Sequence, residues 1–89
     1  MHKVTIMSKP GCHRCEQITE AIRKLIRFPV MIEVVDVVRD QELLEQYGKD
    51  VPVVLIDGIE RFRQTVDPQK FLKFFADEPG AQIVGYTSS

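Results

Sequence analysis

Ser8-Lys9-Pro10-Gly11-Cys12-His13-Arg14-Cys15 holds both cysteines of the chain, three positions apart, where a short apolar strand pattern gives way to an amphipathic helical one. Upstream, residues 3–8 are rich in β-branched side chains and predict a strand. Pro10-Gly11 marks a tight turn, and the helical spacing of Cys15, Ile18, Ile22, Leu25 and Ile26 begins at once. Cys12 is therefore expected at the entrance of the first helix, where the leading N–H groups lack intrahelical partners and carry partial positive charge. A thiolate accepts hydrogen bonds there that a neutral thiol uses poorly, so a depressed thiol pKa is expected. Lys9 before the turn, and His13 and Arg14 between the cysteines, add positive charge that stabilises a thiolate. Cys15 falls on the apolar stripe. The pair reads as asymmetric, with Cys12 the exposed nucleophile and Cys15 the buried resolving partner.

Outward from that stretch, the first helix is expected over residues 12–27, ending before Phe28-Pro29 because the residue preceding a proline is pushed out of the helical region. Residues 30–38 are almost continuously apolar, interrupted by Glu33 and Asp36, which predicts a strand buried on both faces beside a parallel neighbour. Strand, helix and strand then form one right-handed crossover unit. A short helix follows over residues 40–47, with Asp40 as N-cap, Leu43, Leu44 and Tyr47 as its packed stripe, and Gly48 as a left-handed stop. Residues 51–56 predict a third strand. Asp57-Gly58 is a strong hairpin signal that returns residues 59–65 antiparallel. Asp67-Pro68 opens a last helix, with Phe71, Phe74 and Phe75 expected in the core. Residues 1–76 read as one domain of order β-α-β-α-β-β-α. Residues 77–89, with Pro79, Gly80 and Gly85, read as a loosely held tail in which Ile83, Val84 and Tyr86 pack back.

Composition narrows the function classes. Apolar residues are 44% and charged residues 28% of 89, which suits one globular core. A formal net charge of −1 and a pI near 6.1 supply no basic field, and the aromatics do not interleave with Lys or Arg, so nucleic acid is not an expected partner. No run approaches the roughly 18 apolar residues of a membrane span. Two cysteines are too few for a secreted disulfide framework, and the chain opens directly into a strand pattern without a charged-then-apolar leader. A reducing, cytoplasmic setting and a monomer are expected.

Together these motifs resemble the thioredoxin fold, and within it the glutaredoxin-like branch. The resemblance rests on a CxxC between the first strand and first helix, a chain that begins at that strand, and Val51-Pro52 followed by an apolar strand and Asp57-Gly58. Lys9 also matches a lysine that glutaredoxins often place before the CxxC. The resemblance implies an α/β, thioredoxin-like (glutaredoxin-like) fold: a four-stranded mixed sheet with helices on both faces. It also implies a cis Val51-Pro52 peptide lying against the sulfurs, with the Val51 backbone able to pair with an extended substrate. The implied activity is thiol–disulfide exchange with a disulfide-containing protein or small-thiol substrate. Electrons would come from an external reductant, glutathione or a thioredoxin reductase, and no organic cofactor or metal beyond the Cys12–Cys15 pair is required.

Two departures bear on the reductant. Typical glutaredoxins carry Pro-Tyr where this chain has His13-Arg14, and a Gly-Gly pair that helps hold glutathione falls here at Phe62 and Arg63. Large side chains there block the backbone approach that glycine permits, which disfavours glutathione. Arg61 or Arg63 remains a candidate grip for a substrate carboxylate, and the role of Asp36 stays open. Two other classes of function compete: a thioredoxin-fold binding module without catalysis, and metal or iron–sulfur binding through the CxxC at a dimer interface. A zinc centre within one chain needs His2 and His13 as further ligands.

Overall fold

The computed structural model describes residues 2–76. Strand β1 (His2–Ser8) is followed by helix α1 (His13–Leu25), strand β2 (Val30–Asp36), a single 3-10 turn (Val37–Arg39) and helix α2 (Gln41–Tyr47). Strands β3 (Val53–Ile56) and β4 (Ile59–Arg63) and helix α3 (Pro68–Lys73) complete the order. The four strands form one mixed sheet in the order β2-β1-β3-β4. β1 runs parallel to β2 and antiparallel to β3, and β3 runs antiparallel to β4. The element order is the expected one.

Alternation along β1 divides the apolar residues between two faces. Val4 and Ile6 join Ile22, Phe28, Val54, Ile56, Phe71 and Phe75 in a core beneath α1 and α3. Met7 faces the other way and packs with Val37, Tyr47 and Val53 beneath α2. Each fully buried aliphatic or aromatic side chain contributes about 1.5–3 kcal/mol relative to exposure, so the larger core carries most of the stability.

Local chemistry accounts for the element ends. Asp40 and Asp67 cap α2 and α3, each carboxylate accepting N–H groups from the first turn. The β3–β4 hairpin turns through Asp57 and Gly58, with φ of 53° and 85°. Asp57 also stitches the hairpin to β1: its carboxylate accepts from the Lys3 N–H at 2.9 Å and lies 2.6 Å from His2 Nδ1. These contacts, the His2 hydrogen bond foremost, hold the Asp57 carboxyl below its ordinary pKa.

Four expectations need correction. β2 is not buried on both faces. Among the described residues it is an edge strand paired with β1: Met31 is 56% exposed because short α2 covers only the Val35 end of its face, and Val34, on the α1 face with Ile6, is 46% exposed where it borders the cleft along α1. The strand also stops at Asp36, whose side chain accepts from the Val38 N–H at 3.0 Å and bends the chain into the 3-10 turn despite the β-branched residues that follow. Gly48 is not left-handed: its φ and ψ are −55° and −30°, and glycine suits it because a Cβ would lie 2.5 Å from the Leu44 carbonyl oxygen. Finally, Leu44 and Phe74 lie outside the core. Leu43 and Tyr47, four apart, define the buried line of α2, whereas Phe74 is 37% exposed beneath the Arg61 guanidinium. The tail at residues 77–89, with Ile83, Val84 and Tyr86, lies outside the described residues.

Candidate active site

β1 delivers the chain to a turn closed by the Cys12 N–H donating to the Lys9 carbonyl at 3.3 Å. Pro10 occupies the second position of this turn and Gly11 the third, with φ +79°. A type II turn requires positive φ there, which explains the Pro-Gly pair. Cys12 emerges in extended geometry as the N-cap of α1. Its carbonyl accepts the Glu16 N–H at 3.2 Å, the first bond of the helix. Its Sγ accepts the Cys15 N–H at 3.1 Å, so the sulfur occupies the place of a capping oxygen.

Cys12 and Cys15 are joined as a disulfide, with Cα atoms 5.2 Å apart. Cys12 is partly exposed and Cys15 is 1% exposed. The asymmetry expected from the helical stripe is present, since Cys15 turns inward with Ile18 and Ile22. A cleft of about 300 Å³ runs along α1 from Cys15 to Arg23, bounded on the sheet side by Ser8 and Val34.

The three cations named from the sequence take different positions. The His13 ring is 93% exposed, with Nδ1 3.9 Å from a Glu16 carboxylate oxygen. Arg14 is exposed on the first turn of α1. Lys9 extends to the neighbouring loop, where its Nζ donates to the Gly48 carbonyl at 3.1 Å, at the end of α2. That loop leads to Val51-Pro52, whose peptide bond is cis. Met7 pairs with Val53 in the antiparallel ladder, and extending the register by one residue sets Pro52 beside Ser8, at the strand end that leads to Cys12. The Val51 side chain packs against the smaller core. The N–H and C=O of Val51 have no partner among the described residues.

The structure also brings in residues that linear spacing does not flag. Asp50 lies beside the end of β4: the Arg63 Nη1 donates to its Oδ2 at 2.7 Å and the Gln64 Nε2 to its Oδ1 at 2.9 Å. The other edge of the Arg63 guanidinium holds Glu60 through two hydrogen bonds of 2.8 and 2.7 Å, which depress the Glu60 pKa and raise that of Arg63. The guanidinium also lies 5.6 Å from the centre of the Tyr47 ring. Phe62, the other residue at the expected glycine pair, packs against the rings of Phe71 and Phe74. Asp36 is engaged locally with the Val38 N–H. His2 sits with Asp57 at the opposite end of β1 from the cysteines, so a single-chain zinc set of Cys12, Cys15, His13 and His2 does not assemble. Among the described residues, no group of three or more His, Cys, Asp or Glu side chains is placed to hold a metal ion. No described helix is long and apolar enough to cross a membrane.

A family model described as Glutaredoxin-like domain (DUF836) matches residues 3–79. No curated protein matches the chain. Among solved structures, a structural-genomics target protein from X. campestris, XcR50, is 25% identical with a TM-score of 0.65, over 85% of this chain and 99% of that one. A mutant thioredoxin from Halobacterium salinarum is 17% identical with a TM-score of 0.61, over 85% of this chain and 73% of its own. Thioredoxin O2 from Arabidopsis thaliana, in its oxidised state, is 21% identical with a TM-score of 0.57, over 86% and 74%. The two thioredoxins bear on the fold alone.

Proposed function

The chain belongs to the family of glutaredoxin-like domains, and we propose that it is a thiol–disulfide oxidoreductase working through Cys12 and Cys15. The fold and the cysteine pair fit a redox role. The observation that carries the finer reading is the Cys12 sulfur in a capping position, accepting the Cys15 N–H at 3.1 Å, while Cys15 is sealed behind it.

In the reduced protein, the Cys12 thiolate attacks one sulfur of a substrate disulfide. A Cys12–substrate disulfide forms, and the other substrate sulfur leaves as a thiolate that takes a proton from solvent. Cys15 then loses its proton and attacks the Cys12 sulfur. The Cys12–Cys15 disulfide forms and the second substrate thiolate leaves, so two electrons have passed from the protein to the substrate. An external thiol donor reduces the pair by the same exchange in reverse order. Arg14 lends positive charge near Cys12, as His13 does when protonated, and Lys9 holds the Gly48 loop beside the turn. Val51 offers its N–H and C=O, unpartnered among the described residues, to an extended substrate segment. Phe62 and Arg63 stand where a glutathione site needs small residues, which favours a donor other than glutathione.

The test is disulfide reduction by variants. Cys12→Ser is expected to lose turnover, and retained turnover would refute the nucleophile assignment. Cys15→Ser is expected to accumulate the mixed disulfide, detected as a mass adduct on Cys12. Parallel assays with glutathione and with a thioredoxin reductase system identify the donor.

A further inference from the structure

We infer that Asp50, Arg63 and Gln64 act as positioning residues that hold the Val51-Pro52 segment ready for a polypeptide disulfide, and that they matter little for a small one. The inference rests on the thiol–disulfide reading above and adds a substrate class to it.

The segment is anchored on each side of Val51. Before it, both carboxylate oxygens of Asp50 are taken, one by Arg63 at 2.7 Å and one by Gln64 at 2.9 Å. After it, the Pro52 carbonyl accepts the Gln64 backbone N–H at 2.7 Å. Gln64 makes both contacts from the left-handed region, at φ 73°, where a residue with a Cβ is uncommon. Such a conformation persists where the surroundings over-determine it, as these two hydrogen bonds do. Arg63 is itself fixed by the two Glu60 contacts and by its place over the Tyr47 ring. On the other side, Lys9 ties the preceding Gly48 carbonyl to the cysteine turn. Between these anchors the Val51 N–H and C=O have no partner among the described residues.

Two consequences follow. The Arg63 guanidinium is committed to two carboxylates of its own chain, so its place is structural rather than that of a substrate grip. What the segment presents instead is pre-ordered backbone, which suits a substrate with an extended main chain flanking its cysteine. A small disulfide lacks that main chain and reacts at Cys12 without it.

The experiment uses the full chain, pre-reduced, in single-turnover reaction with a disulfide-bonded peptide and separately with hydroxyethyl disulfide. Asp50→Ala and Gln64→Ala are expected to slow the peptide reaction about tenfold, the effect of losing charge-assisted hydrogen bonds that hold the segment, and to leave the hydroxyethyl disulfide rate within about twofold. Asp50→Asn keeps an oxygen acceptor for Gln64 but loses the charge facing Arg63, so it should fall between wild type and Asp50→Ala. It also serves as the test if the alanine variant does not fold. Peptide rates unchanged in the variants, or both substrates slowed equally, would overturn the inference while leaving the redox reading intact. A wild-type protein that reduces neither disulfide would overturn both.

Discussion

The two walls of the candidate site are built in opposite ways. The cysteine wall is local: Pro10 and Gly11 make the turn, Cys12 caps the helix that follows, and the backbone hydrogen bonds of that turn and first helical turn join residues no more than four apart. The proline wall is assembled from a distance: Asp50 meets Arg63 and Gln64 across 13 and 14 residues, and Lys9 reaches Gly48 across 39. A local wall is set by backbone preference and tolerates little change at the residues that form it. A distant one depends on side chains whose loss loosens the wall without removing it. On the proposed function, the reacting sulfurs would stand on the more local part of the site, and substrate selection would fall to the part assembled from a distance.

That contrast is open to attack at several points. The largest expected effect is on activity: Cys12→Ser should reduce turnover of peptide and small disulfides alike to background, whereas Asp50→Ala should slow only the peptide. Equal effects from both substitutions would erase the distinction. Next come the two glycines, which fail for different reasons. Gly48→Ala places a Cβ against the Leu44 carbonyl, and backbone cannot yield cheaply, so a loss of about 1–3 kcal/mol is expected in chemical denaturation. Gly11→Ala meets nothing within 4 Å, but its φ of +79° disfavours a Cβ, and a loss of about 1–2 kcal/mol is expected. Gly11→Asn should cost less, because asparagine tolerates that region. An Asn variant as unstable as the Ala variant would show that the turn is limited by something other than its dihedral angles.

The smallest effect is expected far from the site, at Asp57. Its folded-state pKa lies below the ordinary 3.8, so the stability it contributes is present above that value and is lost as pH falls through the lower folded value. Asp57→Asn keeps a residue that accepts positive φ but removes this dependence. Its denaturation midpoint should therefore fall less than that of wild type between neutral pH and about pH 3. Salt should shrink the difference, since the group is largely exposed.

Where sequence reasoning succeeded and failed follows the same division. The capping acids Asp40 and Asp67, the hairpin at Asp57-Gly58, the turn at Pro10-Gly11 and the sulfur pair were all legible, because each is a short pattern whose physics is complete within a few residues. The exposure of β2 was not. A continuous apolar run looks the same whether helices cover both faces fully or only in part, and the reach of α2 over one face and of α1 over the other decides which. Phe74 and Leu44 were misplaced for a similar reason, since an apolar helical residue next to the buried line is indistinguishable by spacing from one on it. Asp50 and Gln64 carried no signal at all, being an ordinary acid and amide in polar surroundings, and Arg63 drew notice as a grip for a substrate carboxylate rather than as the partner of Asp50 and Glu60.

By itself, the order of residues settled the β-α-β-α-β-β-α arrangement, the turn that presents Cys12 and the inequality of the two sulfurs, because hydrogen-bond capping, glycine dihedrals and helical periodicity act over a handful of positions. The tertiary structure alone decided that Lys9 binds a carbonyl across the site, that Arg63 serves its own chain and that β2 lies at an edge. Those outcomes depend on which surfaces the folded sheet brings within about 3 Å of one another, and hydrogen-bond geometry at that range is specified by packing rather than by any local pattern.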